Sequence, residues 1–236
     1  MNRFFIPKDQ VKGDTLSICG SDVNHIKNVL RKQISDEIIC FDGSGFEYLS
    51  KIENISKDRI TLKIISRNHS EIEPKIQINL CQCLPKQGKM DDIVKKSVEL
   101  GVHEITPVIS ERSIPKKGNI ERWQKIAKEA AQQSGRLIVP EVFPPHYFDE
   151  ILHIAEKAKL KLIAYEGEKT KHLKDVLKTT NPSSVAVFVG PEGGFSAEEV
   201  KTAIDHGFEC VSLGKRILRT ETAGLAVISM ILYEYE

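Results

Sequence analysis

Two apolar strands near the carboxyl end each run into a glycine-bearing loop and then a helix, and this pair limits the fold more than any other feature. Residues 185–189 (VAVFV) form an unbroken apolar run followed by Gly190-Pro191-Glu192-Gly193-Gly194. Ser196 with Glu199 three residues on is a capping box that opens the next helix. Residues 208–213 (FECVSL) repeat the plan, emptying into Gly214-Lys215-Arg216-Ile217-Leu218-Arg219 and an apolar final helix over 223–233. Strands that are apolar without alternation belong in a parallel sheet covered on both faces. In open α/β sheets, ligands bind in the crevice at the carboxyl ends of such strands.

The alternation of strand and helix reaches back to Lys75. Strands are expected over 76–80, 104–109 and 160–165, with an extended stretch over 137–142. Helices are expected over 92–100 (stopped by Gly101), from an Asn119 cap to Gly135, over 147–158 and over 173–177. Residues 1–70 read differently. Short strands over 3–6, 16–18, 37–41, 46–52 and 59–65, a hairpin turn at Asp42-Gly43-Ser44-Gly45 and one helix over 21–32 describe a small β-barrel. The polar, aperiodic segment 66–74 (SRNHSEIEP) marks a boundary, so the expected domains are 1–70 and 71–236.

Composition mainly excludes. No apolar run approaches the roughly 20 residues of a membrane helix, and the start MNRFFIPKD has no signal-peptide core. A cytoplasmic protein is the expectation. Its five cysteines are an odd number, and Cys81 and Cys83 share a strand face instead of forming a C-x-x-C pair. The seven histidines follow no ligand spacing, so no metal is expected. A net charge of +1 rules out a global field for nucleic acid. A local patch is needed instead, and residues 84–136 carry a mild one, eleven Lys/Arg against seven Asp/Glu.

The chain has no G-x-x-x-x-G-K-[ST] and no G-x-G-x-x-G, which removes the P-loop and the usual dinucleotide pocket. The GPEGG loop lets backbone approach a ligand closely, and the second loop sets main-chain groups beside Leu213, Ile217 and Leu218. Such a place suits a flat heteroaromatic between apolar side chains. By spacing alone, the same residues also serve as two plain strand-to-helix turns.

VGPEGGFSAEE followed by SLGKRILRTETAGLA resembles the signature of the SPOUT methyltransferases, and within them the ribosomal RNA (uridine-N3) methyltransferase family RsmE. DDIVKKSVELGVHEITPVISERS, WQKIAKEAAQQSGRLIVPEV, HIKNVLRK and RFF resemble further blocks of that family, in family order across most of the chain. The resemblance implies a PUA-like RNA-binding β-barrel followed by an α/β SPOUT domain. That domain would have a mostly parallel sheet, a C-terminal trefoil knot and a homodimer interface. It implies S-adenosylmethionine held by Ala164, Tyr165 and Glu166, by Val189, Gly190, Pro191, Glu192, Gly193 and Gly194, and by Leu213, Gly214, Ile217 and Leu218, with Thr222 and Ala223 beyond. The implied partner is small-subunit (16S) ribosomal RNA, free or in a ribosomal subunit, with no membrane and no metal.

Uracil N3 carries a proton and is a poor nucleophile until it leaves. Cations at the carbonyl oxygens and a proton acceptor are therefore wanted. The candidates are Arg219 and Arg136 as cations, Gln133 as a base contact, and Glu192 and Glu221 as acceptors. An acid at a helix N-terminus such as Glu221 is also favoured by the dipole alone. RNA contacts are expected from Arg3, His25, Arg31 and Lys32 in the first domain, and from Lys86, Lys89, Arg112, Lys116 and Lys117 in the second. A different class of function remains open: an RNA-binding protein without catalysis, or a sensor of adenine nucleotides.

Overall fold

A computed structural model of the chain describes residues 2–86, 88–114 and 117–236. Two compact units emerge: residues 1–73 with 131–139, and residues 74–130 with 140–236.

The first unit holds strands β1 (Arg3–Phe5), β2 (Val11–Lys12), β3 (Thr15–Cys19), β4 (Glu37–Phe41), β5 (Phe46–Ile55) and β6 (Arg59–His69). They form one sheet in the order β1-β4-β5-β6-β3-β2, antiparallel except where β1 runs parallel to β4. Leu16 and Ile18, Ile38 and Cys40, and Ile60 and Leu62 are buried at every second position, because successive strand residues face opposite ways. With Phe4, Val23 and Ile26 they make the core. The β4–β5 turn closes where Asp42 accepts the Ser44 N–H at 3.0 Å and the Tyr48 hydroxyl at 2.9 Å.

Two features of this unit depart from the sequence reading. Strand β6 continues through Ser66 to His69, paired with Leu49 to Phe46, inside the segment read as the domain boundary. This end of the hairpin is mostly exposed on both faces and so carries no alternation to read. The expected helix over 21–32 is a single turn, α1 (Ser21–Asn24), that passes into a π-helical stretch over His25–Val29. Arg31 then takes a positive φ of 52° and turns the chain away.

The second unit holds β7 (Gln77–Cys83), α2 (Lys89–Leu100), β8 (Glu104–Ile109), most of α3 (Ile120–Ser134), β9 (Glu141–Val142), β10 (His146–Tyr147) and α4 (Phe148–Ile154). After these come β11 (Leu160–Ala164), α5 (Leu173–Thr179), β12 (Ser184–Val189), α6 (Ala197–Asp205), β13 (Glu209–Val211) and α7 (Thr220–Tyr235). The seven strands are all parallel, in the order β10-β8-β7-β12-β11-β13 with β9 beside β8. One core cluster gathers Phe148, Phe188, Phe195 and Phe208, with Phe148 and Phe188 ring centres 4.9 Å apart. Helices α2 and α7 pack together and bury Val94, Val98, Val227, Ile228 and Ile231. Gly224 lets α7 lie close to β7, since a Cβ there would stand 3.0 Å from the Gln82 side-chain oxygen. Of the extended stretch expected over 137–142 only Glu141–Val142 pairs as a strand, and α7 starts at Thr220, three residues earlier than its apolar run suggests. No helix among the described residues is long and apolar enough to cross a membrane.

Candidate functional site

The parallel register decides which loops meet. Ala164 pairs with Val189 and with Val211, so β11, β12 and β13 end at one level and their following loops converge. Backbone bonds hold each loop: Tyr165 N–H donates to Val211 at 3.1 Å and Gly194 N–H to Pro191 at 3.0 Å. The start of α7 joins the group through a chain of buried donors. Gln82 Nε2 donates to Thr220 Oγ1 at 2.9 Å, and that hydroxyl donates to the Gly190 carbonyl at 2.5 Å.

The result is a cleft of about 530 Å³, measured out to open solvent, at the carboxyl ends of the strands. Ala164, Tyr165, Glu166, Val189, Gly190, Pro191, Gly194, Leu213, Gly214, Ile217, Leu218 and Ala223 line it. Of the expected set, Glu192, Gly193 and Thr222 lie outside its lining, and Ser212, Arg216 and Thr220 are additions. Ile217 is 82% exposed, an apolar side chain beside main-chain donors and acceptors. Gly194 has φ +67°, where L side chains are strained, and a Cβ on it would lie 2.2 Å from the Glu166 carboxylate.

A second cleft shares Glu166, Pro191, Gly194, Ile217, Leu218 and Thr220 with the first and adds Lys89, Glu192, Gly193 and Arg219. Lys89 Nζ stands 3.0 Å from Glu192 and 3.2 Å from Glu221, tying the two carboxylates together. Glu192 also accepts the Lys86 N–H at 3.1 Å. Burial by itself would raise the Glu192 carboxyl, but the Lys89 and backbone donors outweigh it and hold the group below its ordinary value. Its own backbone N–H, and then Lys89 and Arg219, hold Glu221 down as well, against a smaller rise from burial. The two expected proton acceptors are thus stabilised carboxylates, which weakens them as bases. Arg219 is exposed in this cleft and forms no hydrogen bond or close ion pair among the described residues.

The wall behind Gly193 is fixed by the loop after β8. Arg112 Nη1 donates to the Gly193 carbonyl at 2.9 Å. Glu199 accepts the Glu111 N–H at 2.8 Å and, from its capping box, the Ser196 N–H at 2.9 Å. Arg112 and Lys89, expected as RNA contacts, are therefore part of the wall itself. Lys117 is exposed, and Lys116 lies outside the described residues.

The other candidates belong to the first unit. Arg136 is 5% exposed, with Nη2 2.6 Å and Nε 2.9 Å from Glu73. Its guanidinium is engaged within the fold, so a role at the substrate base has no support from its surroundings. Arg3 is likewise held, by Glu47 at 2.6 Å and the Gly135 carbonyl at 2.9 Å. Gln133, His25 and Arg31 are exposed and Lys32 is half-buried. His153, Glu156 and His206 bring ligand-type atoms within 4.8 Å of one another, a grouping that no sequence spacing announces, and line neither cleft.

Residues 72–232 match the family model of the RNA methyltransferase domain, and residues 18–65 that of the RNA methyltransferase PUA domain. The ribosomal RNA small subunit methyltransferase E of Bacillus subtilis is 37% identical, the match covering 100% of this chain and 98% of that protein. A crystal structure of the Neisseria gonorrhoeae protein of the same name, bound to S-adenosyl methionine, superposes with a TM-score of 0.89 at 37% identity, covering 100% and 98% of the two chains. A Legionella pneumophila protein solved with bound cofactor SAM gives 0.88 at 33% identity, over 98% and 96%.

Proposed function

Because the chain belongs to the ribosomal RNA small subunit methyltransferase E family, we propose that it methylates N3 of a uridine in small-subunit ribosomal RNA, using S-adenosylmethionine. The observation that carries this reading is the pair of clefts with a common wall. One sets apolar side chains beside main-chain groups at the strand ends. The other opens beside it and holds an uncommitted arginine.

The first cleft fits the nucleoside donor. Apolar Ala164, Val189, Ile217, Leu218 and Ala223 line it, and backbone groups at Gly190 and Gly214 serve the edge of a flat heteroaromatic. Gly194 keeps side-chain atoms out of that space. When bound, the donor supplies an electrophilic methyl group on a sulfonium. The residues of the chain do the rest. Arg219 faces the base in the second cleft and stabilises the negative charge that spreads over the uracil oxygens as N3 gives up its proton. Glu166 lines both clefts, and among the described residues its carboxylate has no hydrogen-bond or ion-pair partner. We assign it the N3 proton in preference to Glu192 and Glu221, which Lys89 holds as stable anions. Lys89 keeps Glu192 and Glu221 from repelling the uracil anion as it forms. The freed N3 lone pair then takes the methyl group in a direct displacement aligned by the loops.

Three further assignments rest on the resemblance and on geometry that agrees with it. Helix α7 follows β13 yet packs against β7, β12, α2 and α5, as a chain end threaded through a knot would. Its outward face carries Thr222, Ala226, Met230 and Tyr233, of which Tyr233 is 90% exposed, and a second copy would cover it. The natural setting of the substrate is the ribosomal subunit in the cytoplasm. The test of the reading is transfer of a labelled methyl group from S-adenosylmethionine to unmodified small-subunit RNA, with the product identified by mass spectrometry of nucleosides. N3-methyluridine is expected; an RNA left unlabelled, as free RNA and as subunit, overturns the function.

A further inference from the structure

The first unit contains a pocket lined by Asn2, Arg3, Phe4, His25, Gln132 and Gln133, about 460 Å³ out to open solvent. These residues come from three places in the sequence: β1 with the residue before it, the π-helical stretch after α1, and the last turn of α3. A π-turn is an uncommon interruption of a helix and often marks a functional position, and His25 is the residue where this one begins.

The pocket is polar but close to neutral. The charge of Arg3 is met by Glu47 at 2.6 Å, and its second terminal nitrogen is bonded to the Gly135 carbonyl. Gln132 Nε2 donates to the Arg3 carbonyl at 2.9 Å, which fixes the amide and leaves its oxygen turned to other partners. The side chains of Asn2, His25 and Gln133 make no hydrogen bond among the described residues. Two side-chain amides therefore bring a donor and an acceptor side by side, and His25 brings a ring steadied edge-on by Phe4, centres 5.9 Å apart. A phosphate needs cations that are free to meet it. An unstacked nucleobase needs a donor–acceptor edge and a ring to lie against.

We propose that this pocket receives one unpaired nucleobase of the ribosomal RNA and reads its hydrogen-bonding edge through Gln133 and Asn2, with His25 against its face. The proposal rests on the RNA methyltransferase reading above and adds to it a base-recognition site apart from the methylated position. Each good paired contact to a base discriminates by roughly tenfold or more.

The test uses the full chain and small-subunit RNA, free and as unmodified subunits. Gln133→Leu with His25→Leu should weaken RNA binding about tenfold or more and leave S-adenosylmethionine affinity and thermal stability unchanged. The slope of log K against log salt should also stay unchanged, because no phosphate contact is lost. In RNAs carrying single abasic sites, one position should erase the difference between parent and variant. Binding within twofold of the parent, or a slope smaller by about one unit, overturns the pocket while the methyl-transfer reading stands. A parent protein that neither binds nor methylates the RNA overturns both.

Discussion

Arg136 and Glu73, 63 positions apart, form a largely buried ion pair in which one carboxylate oxygen takes two guanidinium nitrogens, at 2.6 and 2.9 Å. The other oxygen accepts the N–H groups of Leu137 at 2.7 Å and Ile138 at 3.0 Å. Removing one partner of such a pair leaves a desolvated charge and costs about 3–5 kcal/mol. Arg136→Ala should therefore lower the free energy of unfolding by about 3 kcal/mol in urea titrations. Its remaining folded fraction should methylate near the parent rate. Unchanged stability with methyl transfer abolished would show that the guanidinium meets substrate after all.

Arg219→Ala should behave in the opposite way. The side chain is exposed and uncommitted, so thermal stability should hold, and calorimetric affinity for S-adenosylmethionine should change by less than a few fold. Turnover should fall about 10²–10³-fold, the usual cost of losing one group that meets developing charge. A variant that loses affinity and turnover together would place Arg219 on the donor.

Glu166→Gln separates a proton acceptor from a donor contact. The amide keeps the shape and loses the basicity, so kcat should drop by about two orders of magnitude while calorimetric affinity for S-adenosylmethionine changes by less than a few fold. A kcat close to that of the parent would remove Glu166 from proton transfer.

Gly194→Val should abolish measurable binding of S-adenosylmethionine. The new side chain meets the Glu166 carboxylate at 2.2 Å from its Cβ and must adopt a φ of +67°, a poor conformation for a β-branched residue. Retained binding would move the donor to another part of the molecule.

The Lys89 cluster carries a pH signature with two edges. Glu192 and Glu221 lie below their ordinary value of 4.5 in the folded chain, so their contribution is complete above it and fades as pH falls through the folded values. Hydrogen bonds that Lys89 donates to Glu192 and Glu221 hold it above 10.5, so its contribution is complete below that and fades as pH rises. The difference in melting temperature between parent and Lys89→Met should be level from about pH 5 to 10 and shrink at both ends. A difference that grows toward acid would contradict the arrangement.

The cofactor-type cleft was the most legible part of the chain. Glycines after apolar strands name loops directly, and parallel order then sets those loops side by side. Thr220 escaped because its hydroxyl acts through partners elsewhere: it reaches Gly190 and Gln82, 30 and 138 positions away. The same kind of distance hid the Glu73 partner of Arg136, and without it a basic residue after a helix looks free. The end of β6 was hidden for another reason: a strand that is wet on both faces has no period to betray it.

The first unit is completed by residues 131–139, which follow 57 residues of the second. During synthesis its six strands leave the ribosome without the segment that carries Arg136, Gln132 and Gln133. At about 5–20 residues per second, the wait from residue 73 to residue 139 is roughly 3–13 seconds. Through that interval Glu73 has no guanidinium to meet, and Arg3 lacks its Gly135 and Gln132 partners. A nascent chain stalled before residue 131 should therefore be open to proteolysis in its first seventy residues, and one stalled well beyond residue 139 should be protected. The order of translation thus makes the amino-terminal unit depend for its completion on a helix encoded in the middle of the gene.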